Sequence, residues 1–479
     1  NFYLTFIFFI KIHFYLEIYI YFVVRKISYL YIKIYFIWKA FYLRRNKNKP
    51  SNKSPRNFGD VIIERLGAKG DGVCKLNSGE TCYVPHSAPG DHLRISYKAP
   101  RSKYFRGLID EIIEPGDARI PPVCQHFRYC GGCALQHLSP NAVAAFKRSA
   151  LQDALAYKNL NNISIQDTIS IPPGTRRRVE FAIDKQKHAV SLGFNAAMSR
   201  KVIDIAECAV ALPSIVELLT PLRELISTNE AAVKANDIRI TETDNGFDFL
   251  ILAMPNSTPG PLLYQQFANF AAEHNISRIS WTDGEYVEPI VQLKQPKLRF
   301  GRAVVALPER YFLQPSREGE IKIVDLVRKG VKDAKRIADL YAGCGTLSFP
   351  LAETAQATAF EIDGKMVSAM RRAAAGLSHT AERRDLARNP LTDKELRKFD
   401  AVIFDPPRSG AQAQAEYLAA SEVPTIVAVS CNPTTLARDL RILVNGGYKV
   451  DLATPIDQFM WSAETEAVAI LRRSGPSLG

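Results

Sequence analysis

Residues 335–365 read KRIADLYAGCGTLSFPLAETAQATAFEIDGK, and they constrain the fold more than any other stretch. A hydrophobic run (Ile337 to Tyr341) leads into a turn with Gly343 and Gly345. An amphipathic segment follows, then a second hydrophobic run that ends in an acid, Glu361. Strand, glycine turn, helix, strand and acid in that order predict an α/β doubly wound sheet. In such a sheet the glycines let a ligand approach the backbone at the tip of the first strand, and the acid takes two ribose hydroxyls. One residue separates the glycines and no third glycine follows, a pattern that favours S-adenosylmethionine over a dinucleotide.

Two more strand tips are predicted downstream. FDAVIFDPPRSG (399–410) ends a strand in Asp405-Pro406-Pro407-Arg408, with prolines stiffening the backbone where open α/β sheets place their sites. Asp-Pro-Pro after a hydrophobic strand suits methyltransferases acting on nucleobases. TIVAVS (425–430) then delivers Cys431, and Asn432-Pro433 turns the chain into a helix expected to be capped near Thr434 or Thr435. A thiol near a helix N-terminus can have a lowered pKa and act as a nucleophile, although a buried structural cysteine is the commoner case.

Reaction chemistry favours the nucleophile. Pyrimidine C5 is too poor a nucleophile to take a methyl group unaided. A thiolate added at C6 makes C5 enolate-like, and a base must later remove the C5 proton so that the cysteine can leave. DQFMWSAETEAVAILRR near the C-terminus offers Glu464 and Glu466 for that role.

The eight cysteines include a C-x5-C-x2-C run, Cys124, Cys130 and Cys133, with two glycines that allow tight folding around a ligand. Cys208 is the plausible fourth thiolate. An iron–sulfur cluster and a four-thiolate zinc both fit this spacing, whereas a disulfide framework does not suit so long a chain. Upstream, residues 58–115 alternate short β-branched runs with glycine turns, which predicts a five-stranded β-barrel of the OB-like kind. Arg94, Lys98, Arg101, Lys103 and Arg106 lie beside Tyr97 and Tyr104, a mixture suited to nucleic acid or to a solvated hairpin tip. The triplet Arg176-Arg177-Arg178 likewise reads as a phosphate contact or a solvated strand start.

The net charge of +13 says little about partners, because residues 1–57 hold eleven Lys/Arg against one acid. Their apolar run is interrupted by charges too often to span a bilayer. Residues 1–57 are expected to be a low-complexity extension, either non-native or a targeting or anchoring segment, and are set aside from fold reasoning.

From about residue 58 to 473 the chain resembles the uracil-C5 RNA methyltransferases. The resemblance is to the branch with an N-terminal TRAM barrel, a [4Fe-4S] site and a class I catalytic domain, and it acts on 23S rRNA or, in other members, on tRNA. It rests on CQHFRYCGGCALQH, YFLQPS, DLYAGCGT, FEID, FDPPRSG, SCNPTTLARDL and DQF…ETEAVAIL taken together. It implies Cys431 as nucleophile and Glu466 as proton-abstracting base. Gln314, Tyr341, Thr346, Glu361 and Asp405 would contact S-adenosylmethionine, and Cys124, Cys130, Cys133 and Cys208 would hold the cluster. The sequence departs from the family pattern at Phe459-Met460, where Phe-Pro is usual, and at Glu464, where a histidine is common. A third departure is Pro315-Ser316, where Val-Asn is frequent.

The expected organisation is a TRAM barrel over 58–115, a β-rich central iron–sulfur and RNA-contact domain over 116–300, and a Rossmann-like catalytic domain over 301–479. The chain is expected to work on structured RNA as a cytoplasmic monomer, without a stable protein partner or membrane association. A cytosine-C5 enzyme is disfavoured by Pro407 in the place of a cysteine, and a catalytically silent RNA-binding factor by the presence of both Cys431 and Glu466.

Overall fold

A computed structural model describes residues 57–98, 104–186, 189–228, 235–255, 257 and 260–473. The extension expected over residues 1–57 lies outside these apart from Asn57, as do Arg101 and Lys103 of the basic hairpin.

The glycine-punctuated N-terminal region forms β1 (Asn57–Ile62), β2 (Arg65–Leu66), β3 (Gly72–Lys75), β4 (Thr81–Val84), β5 (His92–Tyr97) and β6 (Phe105–Glu114). The sheet order β1-β5-β6-β4-β3-β2 puts two consecutive segments at its opposite edges. Between them, Ile63 N donates to Asp91 O and Glu64 N to Val73 O, so one bent strand closes the sheet on itself. Closure removes the free edges and leaves Val61, Ile63, Val84, Leu93 and Ile95 inside. Six strands therefore stand where five were expected, because the bend at Ile63-Glu64 divides the first.

Helix α1 (Pro140–Tyr157) starts at Ser139, whose hydroxyl accepts from Ala142 N, with Pro140 in its first turn. Its Leu151 and Leu155 are buried in the catalytic core rather than in the central region. β7 (Ile169–Ser170) follows. The central sheet comprises β8 (Arg178–Gln186), β9 (Ala189–Asn195), β10 (Val202–Asp204), β11 (Ala235–Thr243), β12 (Gly246–Ala253), β13 (Ile276–Thr282) and β14 (Val287–Gln292). It runs β10-β9-β8-β11-β12-β13-β14, with only the β12–β13 pair parallel. Helices α2 (Leu219–Ser227) and α3 (Pro261–Glu273) bury Leu222, Ile226, Phe267 and Phe270 with it.

The hairpin β15 (Lys297–Phe300) and β16 (Ala303–Ala306) precedes α4 (Arg317–Gly330) and β17 (Arg336–Leu340). Next come β18 (Gln356–Glu361), α5 (Gly364–Ala373), β19 (His379–Arg383) and β20 (Ala401–Phe404). The chain continues through α6 (Gln412–Ala420), β21 (Thr425–Ser430), α7 (Pro433–Asn445), β22 (Tyr448–Asp457) and β23 (Glu466–Arg473). The sheet order is β19-β18-β17-β20-β21-β23-β22-β7; β17 to β21 are parallel, and β23 is antiparallel to both β21 and β22. This is the expected doubly wound α/β arrangement. Strand order reverses between β17 and β20, which opens a crevice at their carboxyl ends.

Two expected boundaries meet different packing. A break at 300/301 falls inside the β15–β16 hairpin, whose Leu298, Phe300 and Val305 share a core with Met366 and Met370 of α5. The region 116–170 contributes α1 and β7 to the catalytic layer, β7 pairing with β22 at Ile456 and Asp457. Among the described residues, no helix is long and apolar enough to cross a membrane.

Candidate active site and cysteine cavity

Every tip at the switch point ends in a polar side chain. After β17 the backbone turns through Tyr341 (φ 63°), Gly343 (φ 56°) and Gly345 (φ 83°). A Cβ on Gly345 would lie 2.6 Å from the Phe349 ring, so both conformation and space require glycine there. Tyr341 holds a left-handed backbone without that freedom, a strain commonly stored at sites. At the end of β18, Glu361 accepts from Gly343 N and Asp363 N, each at 2.9 Å, which ties the turn to the second strand.

β20 delivers Asp405, whose Oδ2 accepts from Gln314 Nε2 at 2.9 Å. Gln314 lies just before Ser316, the N-cap of α4, so the capped helix start fixes its position. β21 delivers Cys431. The cap of α7 is Asn432, whose Oδ1 accepts from Thr434 N at 3.1 Å, and not Thr434 or Thr435. Asn432 takes the role because Pro433 already occupies the first turn. Glu466 opens β23 from the opposite direction. Gln458 Nε2 donates to Glu466 Oε2 (2.6 Å) and to Gln314 Oε1 (3.0 Å), linking the base candidate to Asp405 through two amides.

A cavity of about 770 Å³ is lined by Gln314, Tyr341, Glu361, Asp405, Cys431 and Glu466. Thr346 is buried and is not among its lining residues. Burial pushes the Asp405 carboxyl up to about 7. Burial, then the Asp405 charge, holds Glu466 well above the usual carboxylate range. Burial, Glu466 and Asp405 push the Cys431 thiol up to about 11, with Arg408 opposing them. The thiol of the free protein is thus raised where the helix terminus suggested a lowered value; desolvation and two neighbouring carboxyls outweigh one guanidinium.

The cavity also gathers Arg408, Glu464 and part of the arginine triplet, residues noted in the sequence without a common place. Arg408 forms an ion pair with Glu464, and both line the cavity with Cys431. The departure at Glu464 is therefore matched by an opposite charge. Of the arginine triplet, Arg176 and Arg178 line the cavity, whereas Arg177 is buried and pairs with Glu320, so Arg177 is unavailable to a phosphate. Arg239 and Arg384 also line the cavity, where the arginines are interspersed with carboxylates such as Glu180 and Asp385. Gln458 was visible only as part of the DQF run, and its bonds to Gln314 and Glu466 appear only in the fold.

Cys124, Cys130, Cys133 and Cys208 line a separate cavity of about 230 Å³. A Cβ at Gly131 would lie 2.6 Å from Asn195 O, so glycine allows the motif to press against the end of β9. Burial raises the thiols of Cys124, Cys130 and Cys133, the last to about 12. Among the described residues, no three His, Cys, Asp or Glu side chains are grouped as on a single metal ion. Cys74, Cys82 and Cys344 are buried elsewhere.

A doubly wound sheet whose switch point presents two acids, a cysteine and a paired glutamate is a class I methyltransferase architecture. Residues 275–474 match the tRNA (Uracil-5-)-methyltransferase family. An RNA methyltransferase of Mesorhizobium japonicum is 40% identical over 413 residues, spanning 85% of this chain and 97% of the relative. The 23S rRNA (uracil(1939)-C(5))-methyltransferase of Chromohalobacter salexigens is 29% identical over 91% of this chain and 93% of its own. The structure of the Pyrococcus abyssi tRNA (uracil-54, C5)-methyltransferase with S-adenosyl-L-homocysteine superposes with a TM-score of 0.67 at 22% identity, covering 86% of this chain and all of that one. The chain belongs to the S-adenosylmethionine-dependent RNA (uracil-C5) methyltransferase family.

Proposed function

We propose that this chain methylates C5 of a uridine in structured RNA, with 23S rRNA the favoured substrate. The observation that carries the reading is the convergence of Cys431, Glu466 and Asp405, from three different strands, on one cavity. S-adenosylmethionine supplies the electrophilic methyl group, with Glu361 suited to its ribose hydroxyls and Tyr341, Gln314 and Asp405 to the rest of the pocket. Cys431 loses its proton to water and its thiolate bonds to C6, sending an electron pair to C5. C5 uses that pair to take the methyl group, the sulfonium S–CH3 bond breaking to leave S-adenosylhomocysteine. Glu466 then removes the C5 proton, the C5–C6 double bond re-forms, and the Cys431 thiolate leaves. A carboxyl with a raised pKa is a stronger base once ionised, which suits Glu466 to this step.

The five arginines that line the cavity support an RNA substrate, since guanidinium groups bind phosphate and stack on bases. A paired uridine would have to be flipped out to meet Cys431, and the TRAM-like barrel is suited to holding the surrounding strand. The cysteine cavity fits a [4Fe-4S] cluster: four thiols stand around room for a multi-atom group, and their burial disfavours bare thiolates. Visible absorption near 400 nm with iron and sulfide in anaerobic protein is the expected outcome, and stoichiometric zinc without colour would contradict it.

The substrate test is to incubate the protein with methyl-labelled S-adenosylmethionine and separate pools of unmodified rRNA and tRNA, then to analyse nucleosides by mass spectrometry. Labelled 5-methyluridine from rRNA is expected. Label only from tRNA would keep the chemistry and move the target.

A further inference from the structure

The segment between β22 and β23 reaches both cavities. Phe459 and Glu464 line the catalytic one, whereas Met460 and Ser462 line the cysteine one. Between them, Trp461 O accepts from Ala134 N at 2.7 Å and Leu135 N at 2.9 Å, the two residues that follow Cys133. Trp461 has φ 54°, a left-handed backbone that a tryptophan keeps only where its surroundings fix it. Its surroundings here are those two N–H groups and a small core with Leu135, Leu138 and Phe146.

The rest of the segment is tied across its waist. The buried Lys147 ammonium of α1 pairs with Asp457 at 2.8 Å and donates to Phe459 O (3.2 Å) and Glu464 O. The segment ends meet where Gln458 donates to Glu466. The placement of the base thus depends on a loop whose apex hangs from the cysteine motif. Cys431 does not: it is carried by β21, with Asn432 Nδ2 and Thr435 Oγ1 donating to Arg408 O beside it.

We propose that Trp461 is a positioning residue that carries the order of the cysteine cavity to Glu466, so that filling of that cavity governs the elimination step and leaves addition largely untouched. The proposal rests on the assignment of Cys431 and Glu466 above. A group bound by the four thiolates would fix Cys133, and with it the two N–H groups on Trp461. When that group is lost, the apex loosens, and a base displaced by about 1 Å costs on the order of 100-fold in the step it serves.

The test compares full-length loaded protein, the same protein after chelation of its metal, and a Trp461→Gly variant of unchanged metal content. Each is examined for amide exchange over residues 457–467 and, in single turnovers, for covalent protein–RNA complex against released methylated RNA. Faster exchange and accumulation of the covalent complex are expected in both altered forms, with release slowed about 100-fold and complex formation changed less than about threefold. Trp461→Gly keeps the proposal testable if chelation unfolds the protein. Unchanged exchange, or equal losses in both steps for Trp461→Gly, would overturn it. Glu466→Gln separates the two claims. If Glu466→Gln leaves release untouched, the base assignment fails; if it slows release and Trp461→Gly does not, only the coupling fails.

Discussion

The catalytic cavity and the cysteine cavity hold their polar groups in opposite ways. In the first, Asp405 and Cys431 directly follow neighbouring parallel strands, and Glu466 opens an antiparallel strand paired with Ile456, so strand ends carry all three, Glu466 alone also being tied to the Trp461 loop. In the second, the cysteines sit in turns and loops, and Cys130 has a single bridge to Ala196 as its β contact. Strand tips position a side chain with no ligand present, whereas loops of this kind acquire order from what they bind. Asp405 and Cys431 are therefore expected to keep their places when the cysteine ligand is lost, whereas Glu466, reached through the Trp461 loop, is not.

Substitutions can sharpen this contrast. The largest effect is expected for Cys431→Ala, which should abolish both methylated product and the covalent complex while leaving metal content unchanged, as checked by nucleoside mass spectrometry and metal analysis. Glu466→Gln should lower turnover by about 10²- to 10⁴-fold yet permit complex formation. Comparable loss of both would remove Glu466 from the elimination step. The pH dependence follows from the raised thiol: with Cys431 near 11, the thiolate is scarce at neutral pH and its fraction grows about tenfold per pH unit below that value. Complex formation measured from pH 7 to 9 should rise accordingly; a flat profile would mean that RNA binding lowers the thiol.

On the other side of the contrast, Cys208→Ser should strip the absorption of the proposed cluster but change S-adenosylmethionine affinity by less than about tenfold, because the strand tips proposed to bind it belong to another core. The smallest effect is expected for Glu464→Gln. It frees the exposed Arg408 from a surface pair worth about 1 kcal/mol or less, and a modest gain in RNA affinity that fades with added salt would report it.

The same contrast governs what could be read in advance. Gly343, Gly345, Glu361, Asp405 and Cys431 were legible because each belongs to a short run whose pattern encodes strand, turn or helix. The closure of the barrel was not, since the bend at Ile63-Glu64 acquires meaning only through bonds to Asp91 and Val73. Nor was the Gln314–Gln458–Glu466 chain, which joins residues 144 apart in sequence. The raised direction of the Cys431 thiol was not legible for a related reason: a helix start is visible in a sequence, but burial and the charges of Glu466 and Asp405 come from chain segments that meet only in the fold. Arg177 followed the same logic, its partner Glu320 lying on α4.

The account stands most directly on Cys431 as the attacking group. RNA carrying 5-fluorouridine at the target position, incubated with the protein and S-adenosylmethionine, should yield a complex stable to denaturation, because fluorine in place of the C5 proton leaves Glu466 nothing to remove. Proteolysis and mass spectrometry should then place the methylated fluoronucleotide on the peptide containing Cys431. A nucleotide found on another cysteine, or transfer of methyl to unmodified RNA with no complex on the fluorinated one, would contradict it.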